Sequence, residues 1–592
     1  MSLEPTISAR SKSPPQGASK GAAGARSGGI LTINLEDYFQ TTPVSEVVPV
    51  RYWSRFERRV ERNTERTLSL LEETGASATF FVSGWIADVA ADLVREIGQR
   101  GHRIAAKGYQ HAFPKQLTAA EFADDARRAK EALERASGSE IVGYRAARGG
   151  LSIDDTALFD ALADIGYRYD SSVRPFGFGA GPRNAVVAAG SPASRFSEVP
   201  ISTASLAGLT IPVAGGNFLR QLPYSFTRRA IANTGADPHA RLVFYFHVWE
   251  LDPEMPRLNG VTAANRIRLY RNLEAMPRRI AEVLGTNAFT SAEEALGIAP
   301  ASAPEAPRSA EIVSIRTGKA PGARDVTLVV PCFNEAESLP FLEKSLALLE
   351  QRLKAKYALC YVFVDDGSSD GTLAVLGRLF GKRRNVTIHA MPRNSGVSAA
   401  IMAGIKRART DIVASIDCDC SYDPFQIETL LDAWRPEIAM VTASPYHRQG
   451  HVMNVPGWRL FLSRGLSMLY RLLLDQKLAT YTSCLRVYRR SAVAGIELEH
   501  GGYLGIAELV ARLDQRGEKI EEVPATLESR LFGRSKMKTL KTIAGHLGLL
   551  AGLVRDKFRH ADPNFASPNF TAPGSPDTGM APPPQTMEKD RG

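Results

Sequence analysis

Residues 361–372 read YVFVDDGSSDGT, and residues 412–424 read IVASIDCDCSYDP. Each is an apolar run that stops at acidic residues and continues into Gly or Ser, the pattern of a buried strand handing carboxylates to a loop at its C-terminal end. Open α/β sheets place their ligands in the crevice outside those ends, so Asp365, Asp366, Asp417 and Asp419 are expected to converge there. Two carboxylates spaced Asp-x-Asp suit a hard divalent cation, Mg or Mn, which in turn suits a diphosphate. Acids at strand ends are also ordinary turn formers, and either stretch alone carries that reading as well. Both stretches together, in this order, favour the cation and diphosphate.

Working outward, residues 325–335 (DVTLVVPCFNE) read as a buried strand stopping at Pro331, followed by a helix over 336–354. A helix near 370–380, a strand VTIHAM, a helix over 397–408 and the strand IVASID continue a β-α alternation, predicting a doubly wound nucleotide-binding domain over 325–540. Towards the N-terminus the alternation has another texture. Strands are expected at Ile30–Phe39, Ala78–Ser83, HRIAA and Arg241–Trp249, with helices over 51–74, 86–100, 118–136 and 152–165. Repeated β-then-α units imply parallel strands with helices outside, in a barrel or an open sheet over 30–298. Residues 299–324, rich in Pro and Ala, read as a linker, and 1–29 and 561–592 as disordered tails.

A chain of 592 residues is long enough for two or more domains, and its 44% hydrophobic content suffices for ordinary cores. A formal charge of +10 and a pI near 9.3 favour anionic partners such as nucleotides, phospholipid surfaces or phosphorylated acceptors. No basic stripe interleaved with stacking aromatics stands out, and no nucleic acid is expected as partner. Five cysteines without a Cys-x-x-Cys pair argue for a reducing compartment. The N-terminus lacks the apolar core of a secretory signal, and no run approaches a membrane span, the longest being Thr542–Val554. These observations lead to an expected cytoplasmic location. Leu540, Ile543, Ala544, Leu547, Leu550, Val554 and Phe558 recur at helical spacing beside Lys538, Lys541, Arg555 and Lys557. An amphipathic helix over 541–560 fits peripheral contact through 537–560 with the inner face of the cell membrane, or packing on the domain.

VVPCFNEAESL, VDDGSSDGT, PRNSGVSAAIMAG, DCD, SCLRVYRR and RLFGRSK together make residues 325–540 resemble a family-2 glycosyltransferase of the dolichyl-phosphate mannosyltransferase type. The resemblance implies that Pro331, Asn334 and Glu335 shape the nucleotide pocket, that Asp365 or Asp366 holds base and ribose, and that Arg393 lies near the donor. It makes Asp417 and Asp419 the metal pair, Arg534 and Lys536 part of a basic loop over the donor phosphates, and Arg459, Ser463 and Arg486 the clamp on a polyprenyl-phosphate or related glycan acceptor. One departure stands out: the family's Gly-Ser-Arg is Ala443-Ser444-Pro445 here, which removes an expected phosphate-binding Arg, with His447 or Arg448 as substitutes.

LTINLEDYF, ATFFVSGW, GHRIAAKGYQH, GYRAARGGLS and FYFHVWELDPEMPR make residues 30–298 resemble a polysaccharide deacetylase of the chitooligosaccharide type, whose fold is a distorted β/α barrel. By that resemblance Asp37 and His111 match metal ligands, His247 the late acid, and Arg145 the Arg-Ala motif. Lys107, however, replaces the first metal His, and Asn34 replaces the base Asp, with Glu36 as a base if the register shifts. The site reads as degenerate and the domain as an inactive relative. The expected function is thus metal-dependent transfer of a sugar from a nucleotide-sugar. The alternatives are a bifunctional deacetylase and transferase of polysaccharide synthesis, and a glycan-binding scaffold without turnover.

Overall fold

The computed structural model describes residues 28–110, 112–178, 184–191, 195–236, 240–299, 322–455, 457–533 and 539–561. His111, Arg534 and Lys536, both tails and most of the linker lie outside the described residues. The chain divides into two compact units: residues up to Pro321 with Glu335–Arg352 and Ser529–Gly533 form one, and Gly322–Asn334, Leu353–Glu528 and the chain from Arg534 form the other.

In the first unit, β1 (Gly29–Leu35), β2 (Thr79–Val82), β3 (Arg103–Ala106), β4 (Gly143–Tyr144), β5 (Tyr169–Asp170), β6 (Val187–Ala189), β7 (Phe196–Glu198), β8 (Val243–His247) and β9 (Phe289–Thr290) form one sheet. Its order is β8-β1-β2-β3-β4-β5-β7-β6, with β9 beside β1, and every pair is parallel except β6 with β7. This is the curled, distorted β/α barrel expected. Strand alternation sorts β1: Leu31, Ile33 and Leu35 join the large buried cluster, while Ile30 joins a second cluster with Phe81, Ala105, Tyr169 and Val243. Thr32 and Asn34 share the Ile30 face by the same alternation, so the strand delivers polar groups to that side.

The helix expected over 51–74 is broken. A 3₁₀ helix covers Val50–Arg55, and α1 (Val60–Thr74) starts only after Phe56 turns extended. The break has a chemical cause: the backbone N–H groups of Arg59 and Val60 donate to Asp37 at 2.7 and 3.1 Å, so a carboxylate from far up the chain caps α1.

The second unit holds a seven-stranded sheet of β10 (Arg324–Cys332), β11 (Tyr357–Asp365), β12 (Val386–Ala390), β13 (Ile412–Ser415), β14 (Ile438–Ser444), β15 (Arg486–Arg489) and β16 (Lys519–Pro524). Its order is β12-β11-β10-β13-β15-β14-β16, with β15 antiparallel to both its neighbours. The chain builds from β10 towards β12 and then returns to β13 on the other side, so the topological switch point lies between β10 and β13. Ligands of such sheets bind there, outside the carboxyl ends of the strands. Helices α2 (Val397–Arg407), α3 (Gly457–Leu473), α4 (Gly502–Gln515) and α5 (Thr539–Ala561) complete the unit as far as it is needed here.

Candidate functional site

β10 ends in Pro331 and Cys332, and two residues on Asn334 takes the left-handed conformation at φ +54°. That twist aims its side chain at the loop after β11, where Oδ1 accepts from the backbone N–H of Ser369 at 2.7 Å and of Asp370 at 3.3 Å. Ser368 accepts in return from the Asn334 N–H at 2.9 Å. Gly367, at φ +68°, is required here: a Cβ would lie 2.6 Å from the Arg393 carbonyl carbon and 2.7 Å from the Asn394 nitrogen.

The two aspartates at the end of β11 do different work. Asp366 accepts the backbone N–H groups of Ser395 and Gly396 at 2.7 and 2.8 Å, fixing the loop that carries the exposed Arg393. Burial raises its carboxyl, with those N–H groups pulling the other way. Asp365 is 3% exposed, and its Oδ1 has no hydrogen-bond partner among the described residues. A buried acceptor without a donor is costly, which makes Asp365 the member of the pair suited to a ligand hydroxyl or N–H.

Beyond β13 the chain turns sharply, with Cys420 left-handed at φ +54°. Asp417 and Asp419 are both partly exposed, and Asp419 Oδ1 accepts from the Ser421 N–H at 2.9 Å. Burial first, and then Asp417, hold the Cys484 thiol well above its ordinary range. No group of three or more His, Cys, Asp or Glu side chains arranged for a metal occurs among the described residues. The donor chemistry of the Asp417 and Asp419 pair, hard carboxylate oxygens on two partly exposed side chains, nonetheless fits a hard divalent cation.

Three expectations need correction or relocation. Arg486 is fully buried, with Nε donating to Thr442 at 3.3 Å, NH1 to the Ile506 carbonyl at 3.1 Å and NH2 to the Tyr481 carbonyl at 2.7 Å. A guanidinium spent this way ties β15 to its neighbours and is not an acceptor clamp. Glu335 belongs to the first unit, where it accepts from Ser338 at 2.8 Å and Arg530 at 3.3 Å. Arg459 and Ser463 do lie on one helix, α3. The amphipathic helix α5 is docked rather than free on its apolar side, because His546 is buried with Nδ1 2.8 Å from the Tyr470 hydroxyl, beside buried Leu549 and Leu550. The apolar side that meets solvent belongs to α3: Trp458, Phe461, Leu462, Met468, Leu469 and Leu472 are exposed, up to 79% at Phe461. Periodicity reveals both stripes but not which one the fold covers. No described helix is long and apolar enough to cross a membrane.

The first unit gathers a second cluster at the carboxyl ends of its parallel strands, where barrels of this kind keep their chemistry. The Lys107 ammonium pairs with Glu36 Oε1, and Glu36 Oε2 lies 2.9 Å from His247 Nδ1. His247 Nε2 faces Asn34 Nδ2 at 3.3 Å, and Asn34 Oδ1 accepts from Arg145 at 3.0 Å. Arg145 also donates to Thr32 at 3.0 Å and to the Ser171 hydroxyl at 2.8 Å. These contacts fix the protons: Arg145 forces the Asn34 amide nitrogen towards His247, so Nε2 accepts and Nδ1 carries the hydrogen that Glu36 receives. Burial pulls His247 well below its usual range, with Lys107 and three arginines adding. A neutral imidazole with Nε2 engaged is poorly suited to donate a proton as an acid. Burial likewise lowers Lys107. Asp37, matched to a metal ligand, spends its carboxylate on the N–H groups of Tyr38, Arg59 and Val60. With an ammonium in the cluster and Asp37 turned to capping, the described residues do not fit a divalent cation here.

Comparison with known proteins finds relatives of both parts of the chain. Residues 327–496 match the family described as Glycosyl transferase family 2, residues 51–169 match Polysaccharide deacetylase, and residues 171–297 match a domain of unknown function. A polyprenol monophosphomannose synthase of Mycolicibacterium smegmatis is 32% identical over 219 residues, which are 36% of this chain and 80% of that protein. A dolichol-phosphate mannosyltransferase of Pyrococcus furiosus is 29% identical over 39% of this chain and 64% of its own length. The solved mannosyl-3-phosphoglycerate synthase of Rubrobacter xylanophilus, 17% identical, covers 42% of this chain and 79% of that one with a TM-score of 0.31.

Proposed function

We propose, from the premise that this chain belongs to glycosyl transferase family 2, that its second unit moves a hexosyl group from a nucleotide-sugar to a polyprenyl-phosphate or related glycan or lipid acceptor. The observation that carries the reading is the carboxyl edge of the sheet, where the orphaned Asp365 oxygen ends β11 and the Asp417 and Asp419 pair follows β13, with only β10 between the two strands. Asp365 receives a ribose hydroxyl or base N–H, while Asn334 and Asp366 hold the loops on either side in place. Asp417 and Asp419 hold Mg or Mn, which when bound neutralises charge developing on the diphosphate. An acceptor phosphate is already largely ionised near neutral pH and needs positioning more than a strong base. Its oxygen bonds the anomeric carbon on the face opposite the diphosphate, whose C–O bond breaks and whose electron pair leaves with the nucleoside diphosphate, so the configuration inverts. Ser463 and Arg459 on α3, and Arg534 and Lys536 in the basic loop, are proposed to meet the acceptor and donor phosphates.

Membrane contact is part of the proposal, now through the exposed apolar side of α3 with Arg464 and Arg471 on the same helix. A basic chain with five free cysteines suits the inner, reducing face of a cell membrane. The test is transfer and donor hydrolysis by the full chain over a panel of nucleotide-sugars with Mn or Mg, against Asp419→Ala. Equal turnover in the two proteins overturns the reading.

For the first unit we propose a fold without deacetylase activity, on the strength of the His247 proton arrangement and the Lys107 substitution. Acetate release from acetylated oligosaccharides by the full-length Asp419→Ala chain would restore the bifunctional reading.

A further inference from the structure

The first unit holds a cavity of about 940 Å³ at the amino ends of its strands, opposite the end of β1 and β8 that carries Lys107, Glu36 and His247. Gly29 opens β1, while Leu242 and Ala288 immediately precede β8 and β9. Two helices line the cavity, Tyr224–Ala236 and Met276–Thr286. On the first, Tyr224, Arg228 and Ile231 recur at the spacing of one helix face, with Arg229 on its flank, and Glu282 and Val283 come from the second. The volume is that of a site for one small molecule. Both helices lie within residues 171–297, the stretch that matches a domain of unknown function.

The floor of the cavity is apolar. Ile231, Leu242 and Val283 are each no more than 3% exposed, and the partly exposed rings of Tyr224 and Phe226 extend the same surface. The rim is basic. Glu282 is the one acid among the described lining residues, and it is already satisfied: Arg228 reaches it at 3.2 Å, and the Tyr224 hydroxyl and Arg228 hold its carboxyl below the usual carboxylate range. Arg279 lies over the Tyr224 ring at 5.0 Å and donates to the Leu219 carbonyl. Arg229 differs from these, since its exposed guanidinium has no ion pair and no hydrogen bond among the described residues. Hydrocarbon gains by covering such a floor, and an uncommitted guanidinium fork suits a phosphate or carboxylate. A neutral apolar molecule would leave Arg229 unused, and a bare inorganic anion would leave the floor wet.

We propose that this cavity binds a small organic anion, an apolar chain or ring ended by a phosphate or carboxylate. Arg229 takes the anionic group at the rim, and Ile231, Leu242 and Val283 take the hydrocarbon below it. Every residue of the site belongs to the first unit, and none belongs to the Lys107, Glu36 and His247 cluster or to the aspartates of the second unit. The site therefore stands whether or not the chain transfers sugar.

The test is isothermal titration calorimetry of the full chain with octyl phosphate, 1-octanol and inorganic phosphate, at about 0.15 M ionic strength so that loose surface attraction is screened. Octyl phosphate should saturate one site, with octanol and inorganic phosphate each at least about tenfold weaker. Arg229→Gln should weaken octyl phosphate about tenfold through the loss of a charge-assisted bond, with the melting temperature of the parent. Ala232→Trp, which brings an indole into the space from an exposed helix position, should abolish binding. Should the indole disturb the fold, Arg229→Gln alone decides. Absence of saturable octyl phosphate binding overturns the site, as does an affinity that either folded variant leaves unchanged. Octanol or inorganic phosphate binding as tightly as octyl phosphate overturns the pairing of a basic rim with an apolar floor.

Discussion

Lys107 and Glu36 form an ion pair in which each side chain is only 2% exposed. A buried pair gives little net stability, but breaking it strands a charge. Lys107→Met should therefore destabilise the protein by about 3–5 kcal/mol, and adding Glu36→Gln should recover most of that loss. Chemical denaturation of the parent, the single and the double variant decides it. Equal stability of parent and single variant would mean that Glu36 finds another partner or a proton.

The two aspartates closing β11 should separate cleanly. Asp365→Asn should raise donor KM about tenfold and leave the melting temperature near that of the parent, since a charge-assisted bond to the ligand is lost. Asp366→Asn replaces an oxygen that accepts a backbone N–H and should cost about 1–2 kcal/mol of stability. Steady-state kinetics together with thermal unfolding of both variants show whether binding and structure divide this way.

Phe461 and Leu472 are 79% and 68% exposed on α3. If that side of the helix lies on lipid, replacing both by Ser should weaken sedimentation with anionic vesicles by about tenfold, with donor hydrolysis in solution retained. Binding that is insensitive to both substitutions places any membrane contact elsewhere.

His546 is pushed down from 6.5 to about 4 by burial, at its contact with Tyr470. The unfolded chain therefore takes up a proton on this imidazole at a higher pH than the folded chain does. Stability from this group is complete above about 6.5 and falls as the pH drops from there towards 4. The melting temperature of His546→Gln should consequently depend less on pH across this window than that of the parent.

The strand ends were legible in the sequence because their signal is local. YVFVDD and IVASIDCD each carry a buried run and its terminating acids within a few residues, and the structure puts them where open sheets keep ligands. For the first unit the same alternation gave parallel strands with helices outside, in a barrel or an open sheet, and the resemblance of motifs such as LTINLEDYF and GHRIAAKGYQH to a deacetylase pointed to the curled barrel. What escaped was the identity of partners brought together from far along the chain. Asp37 caps a helix starting 23 residues later, Arg486 is consumed by the Tyr481 and Ile506 carbonyls, and the pair Asp365 and Asp366 looks symmetrical until Ser395 and Gly396 claim one of them. The α3 and α5 stripes are alike in spacing, and only the burial of His546 tells them apart.

The first unit takes in Glu335–Arg352 and Ser529–Gly533, pieces lying beyond the Pro- and Ala-rich stretch that looks like a natural cutting point. A fragment ending near residue 299 would lose Phe341 and Phe532 and bare Phe56, and a fragment beginning near residue 325 would bare the same rings from the opposite side. Exposed aromatic surface of that kind promotes aggregation. The two halves thus resemble beads on a string in their amino-acid order, yet they are not interchangeable parts. Grafting either half onto another protein would require carrying along Phe56, Phe341 and Phe532, whose rings pack against one another at 5.0, 5.8 and 5.9 Å, or replacing all three at once.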